Sequence, residues 1–204
     1  MTSDTRAKMV AGAADLMSRR GVNATSMREV VRHTGTPRGS ISHHFPGGKQ
    51  QLIEDAIAFA GAQVSGPLQH LTNARGAIAG LRAFIALWRK TLERTNYQAG
   101  CPILAVAVEQ YVSDTTEREG VGEPEVQRHL LDLAQRVFAD WQQILSAALK
   151  REGLAAPRAR RLATLVVASV EGTVAMCRAA RSAQPLEEVS HELELLLKGA
   201  IEKQ

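Results

Sequence analysis

The sequence predicts an all-α fold of about nine helices, and three observations carry that expectation. Apolar residues recur every three or four positions through most of the 204-residue chain, the spacing that places them on one helix face. Alanine and leucine are prominent in the 45% hydrophobic content and aromatics make up only 4%, a balance that favours helix packed on helix over sheet. Glycine and proline fall mainly between the periodic stretches, where they close one helix or open the next.

Residues 4–20 form the first predicted helix, with Val10, Ala13, Ala14 and Met17 on one face and Gly21 at its end. Val22-Asn23-Ala24-Thr25 links it to a second. There Ser26 and Glu29 have capping-box spacing, and Met27, Val30 and Val31 make the buried stripe. Gly35 suits the left-handed residue that closes this helix. Thr36-Pro37 is a fresh start signal, a hydroxyl cap with proline at N1, and predicts a third helix from Pro37 to His44. Only Ile41 and Phe45 are large and apolar here; Arg38, Gly39, Ser40, Ser42, His43 and His44 are small, polar or basic. Such a helix buries little, but it suits the major groove of DNA. Ile41 and Phe45 anchor it, Gly39 and Ser40 keep its surface low, and the remaining side chains reach base edges and phosphates.

The charge distribution agrees. Residues 1–50 hold eight Lys/Arg against three Asp/Glu, whereas the whole chain has 25 against 21, so the rest is slightly acidic. Phosphate attraction calls for that asymmetry. The run Thr34-Gly35-Thr36-Pro37-Arg38-Gly39-Ser40-Ile41-Ser42-His43-His44-Phe45-Pro46-Gly47-Gly48-Lys49 resembles the DNA-binding segment of TetR-type transcriptional regulators. Its His43-to-Lys49 tail is similar to the LmrA/YxaF-like branch. The resemblance implies an all-helical homodimer, usually a repressor. Its N-terminal three-helix helix-turn-helix domain would span residues 3–63, and a helical effector-binding and dimerisation domain residues 64–204. It also places Thr25 and Arg28, with Ser26, among the groups that hold phosphates. Members commonly carry a tyrosine where this chain has Ser42.

The later elements follow the same rules. Leu52, Ile53, Ala56, Ile57, Ala60 and Val64 predict a helix from Lys49 to about Val64, ended by Gly66-Pro67; its first amides and Lys49 offer a phosphate site. A connector over 68–76 leads to a helix over 77–95, with Ile78, Leu81, Ile85, Trp88 and Leu92 in register, broken at residues 96–100. From Cys101 to Val108 the chain is apolar on every side, which predicts a helix buried all round. Glu109 then reaches solvent, a ligand in an internal cavity, or a buried arginine. Ser113 to Glu125 is acidic and aperiodic, a loop beside a pocket entrance. A long helix over 124–153 and another over 157–181 come next. The second carries Val166, Val170, Val174 and Cys177 on one face, and the small residues Ala168, Gly172, Ala175 and Ala179 on another. Pro185 opens the last, with Leu186, Val189, Leu193, Leu196, Leu197, Ala200 and Ile201 inward. These last two helices have more apolar surface than one partner covers, which predicts half of a four-helix bundle between two copies.

Arg38 is the candidate for a guanine edge or a phosphate, Thr36 for a base, His43 for a phosphate, and His44 for a phosphate or the first helix. Arg6 and Lys8 either approach the duplex or are solvated. Trp88, Glu109, Tyr111, Trp141 and Met176 are candidates to line a site for a largely apolar effector, with core packing as the plain reading. No catalytic triad order, phosphate loop, HExxH or CxxC is present, so neither catalysis, cofactor nor metal is expected. Cys101 and Cys177 are expected as buried free thiols, with a redox switch as the alternative. No apolar run approaches the ~18–20 residues of a membrane span, and Met1 to Arg6 has no export core, so the cytoplasm is expected. The reading is a homodimeric repressor, released from a palindromic operator on double-stranded DNA by a small molecule. The alternative is a helical sensor that acts through a protein partner without binding DNA.

Overall fold

The computed structural model describes residues 2–112 and 123–203. Among them are eight helices and no strand: α1 (Thr2–Arg20), α2 (Met27–Thr34), α3 (Ser40–His44), α4 (Gly48–Arg94), α5 (Pro102–Val108), α6 (Glu123–Arg151), α7 (Ala156–Ala180) and α8 (Gln184–Glu202). The chain divides into two compact units. The first is Met1–Gly61 with Cys101–Val137, the second Ala62–Gly100 with Phe138–Gln204. Helices α4 and α6 therefore each contribute to both. Most of the loop expected over Ser113–Glu125 lies outside the described residues, and Glu123 to Glu125 already belong to α6.

The first unit is built on α1, whose Met9, Ala13 and Met17 are fully buried. Gly12 lets α2 come close: a Cβ there would lie 2.2 Å from Thr34 Cγ2. Val30 of α2, Phe45 after α3, and Leu52, Ile53, Ala56 and Ile57 of α4 complete this core, joined by Ile103 and Val106 of α5 and Leu130 of α6. The α5 helix is not buried all round, because Val108 is 72% exposed and only Ile103 and Val106 are buried within it. Seven residues give two turns, and one of their faces is covered.

In the second unit Phe84, Trp88 and Trp141 form an edge-to-face cluster, with centroids 6.4 Å (Phe84–Trp88) and 5.7 Å (Phe84–Trp141) apart. Helices α7 and α8 pack on one another through residues such as Val170, Val174, Leu186, Leu193 and Leu197.

Helix α4 corrects the expected stop at Gly66-Pro67: it continues through Pro67 and is broken only at Gly76, with φ +82° and ψ −176°. An interior proline costs ~3 kcal/mol or more, but Val64, Leu68 and Thr72 bury the continuing face on either side of exposed Pro67. At the break the Ala77 amide donates to Glu152 Oε1 at 2.6 Å, which supplies the restarting helix with an acceptor. Helix α7 corrects another expectation. By length and composition it could cross a membrane, with mean hydropathy 1.4, but half of that window is buried within the protein. Its buried face includes Glu171 and Thr173, so it reads as a core helix.

Candidate nucleic-acid interface

Helix α2 forms as its residues dictate. Ser26 has β backbone, its Oγ accepts the Glu29 amide at 3.2 Å, and Gly35 closes the helix with φ +64°. The reciprocal half of the capping box is absent, because the Glu29 carboxylate pairs with Arg32 and Arg20. Helix α3 starts later than expected, at Ser40, with Gly39 as an N-cap that makes no side-chain bond. Thr36 does not cap it; its hydroxyl pairs with that of Thr34 at 2.8 Å. Ile41 and Phe45 sink into the unit, at 9% and 1% exposure, and hold the helix by one edge.

The other edge is open. Pro37, Arg38, Gly39, Ser42 and His43 are exposed, as is Arg28 on α2, while Ser26, Thr36 and His44 are half-buried. Ser40 starts this helix between them. The His43 and His44 rings meet edge-on at 5.3 Å, and His44 lies 6.5 Å from Phe45, so His44 has an inward neighbour. Arg6 reaches from α1 to Asp55 at 2.6 Å and lies 5.3 Å over the Phe45 ring, bracing the end of α3. Burial holds the Asp55 carboxyl above its ordinary range, and the Arg6 guanidinium offsets only part of that rise. Lys8 pairs with Asp4 on its own helix.

Two expected phosphate groups lie inside instead. Thr25 is fully buried, and its hydroxyl donates to the Gly21 carbonyl at 2.7 Å, so it shapes the turn between α1 and α2. Lys49 is only 6% exposed. Its Nζ donates to the Val112 and Asn23 carbonyls at 3.2 and 3.4 Å and lies 5.5 Å over the Tyr111 ring. Gly48, with φ +67°, opens α4, and Lys49 lies on the face that the segments holding Asn23, Tyr111 and Val112 cover.

The five effector candidates are distributed over the two units. Trp88 and Trp141 share the aromatic core of the second unit, with both indole N–H groups buried and without an acceptor among the described residues. Met176, on α7 of the same unit, is 58% exposed. Glu109 and Tyr111 belong to the first unit. The half-buried Glu109 carboxylate accepts the Val22 and Asn23 amides at 2.9 and 3.3 Å, a backbone contact that the sequence reading did not name. Asn23 and Gln127 complete that junction, Gln127 through the Glu109 carbonyl and the Tyr111 amide. Neither stands out in the sequence, since each is a polar residue near a helix end. Arg32, with 71% side-chain exposure, is a further cation on the open side of α2. Its basic neighbours Arg28 and Arg38 are the signal that points to it.

Cys101 and Cys177 are buried and form no disulfide among the described residues. Burial raises the Cys177 thiol above its usual range, which disfavours the reactive thiolate.

A short helix anchored at one edge, open at the other and set at a tight turn after a capped helix, defines a helix-turn-helix DNA-binding protein. Comparison with known proteins specifies it. Residues 9–56 match the model of bacterial regulatory proteins of the tetR family. Residues 77–192 match that of the transcriptional regulator LmrA/YxaF-like C-terminal domain. The HTH-type transcriptional regulator Rv0196 of Mycobacterium tuberculosis is 36% identical over 94% of this chain and 93% of its own. LmrA of Bacillus subtilis is 25% identical over 96% and 97%. A TetR transcriptional regulator from Chloroflexus aurantiacus is structurally similar, with TM-score 0.72, 27% identity, and coverage of 97% of this chain and 96% of that one. The chain belongs to the TetR family of transcriptional regulators, in its LmrA/YxaF-like branch.

Proposed function

We propose that this regulator is a homodimeric repressor, held on a palindromic operator and released by a small, largely apolar molecule. The exposed edge of α3 carries the proposal. Arg38 takes a guanine edge, His43, Arg28 and Ser26 hold phosphates, and Gly39, Ser40 and Ser42 let the backbone come close. Two such helices related by a two-fold axis read half-sites about 34–36 Å apart.

The second copy docks on α7 and α8. Leu165, Met176, Leu195 and Leu196 are exposed there at 45, 58, 50 and 37%, and Ala168, Gly172, Ala175 and Ala179 leave a low stripe between them. The effector site lies at Trp88 and Trp141, whose buried indole donors call for a ligand that carries acceptor atoms. An unmet buried donor costs about 1–3 kcal/mol. Effector binding shifts α4, one of the two helices that contribute to both units, and the coupling equals the ligand's differential affinity for the two states. The protein works in the cytoplasm and catalyses no reaction.

Selection of bound duplexes from a random pool by the full-length protein tests this reading, followed by a salt titration. The expected result is a palindromic site whose log K falls by about 0.9 per neutralised phosphate as log salt rises. Failure to retain any duplex in dilute buffer overturns it, in favour of a sensor that acts through a protein partner.

A further inference from the structure

The turn between α1 and α2 is held by a stretch far away in the chain. Gly21 ends α1 with φ +86°, and the next two amides, of Val22 and Asn23, both donate to Oε2 of Glu109, 87 residues beyond the first. Glu109 is the C-cap of α5. The Asn23 side chain returns the contact, donating to the Gln110 carbonyl at 2.6 Å and accepting the Val112 amide at 2.9 Å. The approach requires glycine at position 21: a Cβ there would lie 1.8 Å from Glu109 Oε1. Amides just past a helix end need acceptors, and a nearby side chain would serve. Here the acceptor is an anion on another element, which makes two charge-assisted bonds to one turn. Ser26, the N-cap of α2, follows three residues after Asn23, so the placement of α2 and α3 starts from this turn.

We propose that Glu109 is the positioning residue through which α5 sets the reader helices α2 and α3, so that DNA affinity depends on an acceptor oxygen outside the helix-turn-helix. This rests on the reading of α3 as the DNA-contacting helix.

The test compares E109A, E109Q and V108A with the wild-type full-length protein, on the duplex that the wild type selects from a random pool. Hydrogen–deuterium exchange of each protein without DNA is the second measurement. Both amide bonds go to one oxygen, so the amide oxygen of glutamine can take them. E109A is expected to bind about tenfold more weakly or worse, with unchanged helix content and faster exchange at residues 22–23 and across 26–45. E109Q is expected to stay within about threefold of wild type, and V108A, at an exposed neighbouring position, to match it. Wild-type affinity in E109A overturns the proposal, as does faster exchange confined to residues 22–23. The exchange result stands without any duplex, so a failure of the wild type to select DNA would defeat the DNA reading separately. Should E109A not fold, E109D, which draws the acceptor one methylene back from the Val22 and Asn23 amides, carries the same expectations.

Discussion

Arg38 and Ser26 illustrate how two residues of one helix-turn-helix do different work. Arg38 is exposed beside α3, whereas Ser26 satisfies the Glu29 amide at the start of α2. Arg38→Ala should weaken operator binding and relax preference at one base pair per half-site, a loss of about 1–3 kcal/mol for the matched base. Binding to a panel of single-substitution operators reads this directly; uniform loss on all of them reassigns Arg38 to a phosphate. Ser26→Ala should lower stability by about 1 kcal/mol through the lost cap, measured by denaturant unfolding. An unchanged midpoint would remove the capping role.

At the scale of elements, α4 holds the least expected geometry. A Cβ at Gly76 would lie 2.2 Å from Glu152 Oε1, at a residue whose φ is +82°. Gly76→Ala should therefore destabilise by more than ~1 kcal/mol, visible as a lower melting temperature, and a neutral result would mean that the two helical segments of α4 can realign. Helix α4 is also tied to α8 through Glu194, which pairs with Arg82 and Lys198. Hydrogen bonds first from Arg82 and then from Lys198 hold the Glu194 carboxyl down to about 2. Its contribution to stability is thus fully present above the ordinary carboxylate range and is lost as pH falls from there through about 2. E194Q should flatten that part of an acid-unfolding profile, and an unaltered acid limb would show that the pairing contributes nothing. The helices themselves were legible because capping pairs and apolar period are local: Ser26, Gly35 and Gly21 each stand where their chemistry predicts. The run through Pro67 and the inward turn of Lys49 were not legible, because both depend on which face a neighbouring element covers. The same holds for Glu109, whose partners lie 86 and 87 residues earlier. Composition could mark it as unusual in an apolar helix but could not name two backbone amides.

At the scale of the molecule, the exposed apolar residues of α7 and α8 are the feature a second copy would cover. Met176→Glu combined with Leu165→Glu should shift the assembly toward monomer, measured by sedimentation, and weaken operator binding by loss of the paired half-site. A double variant that still sediments as a dimer would move the interface elsewhere. Lys49 has a different consequence for anyone handling the protein. Its amine is enclosed by the carbonyls of Asn23 and Val112 and the Tyr111 ring, while Lys8 keeps 60% of its side chain in solvent. An acylating reagent at limiting dose should mark Lys8 long before Lys49, and trypsin should spare the bond after Lys49 in the intact protein. Delayed labelling at this one lysine, followed by mass spectrometry, therefore gives a clock for the opening of the junction that carries the reader.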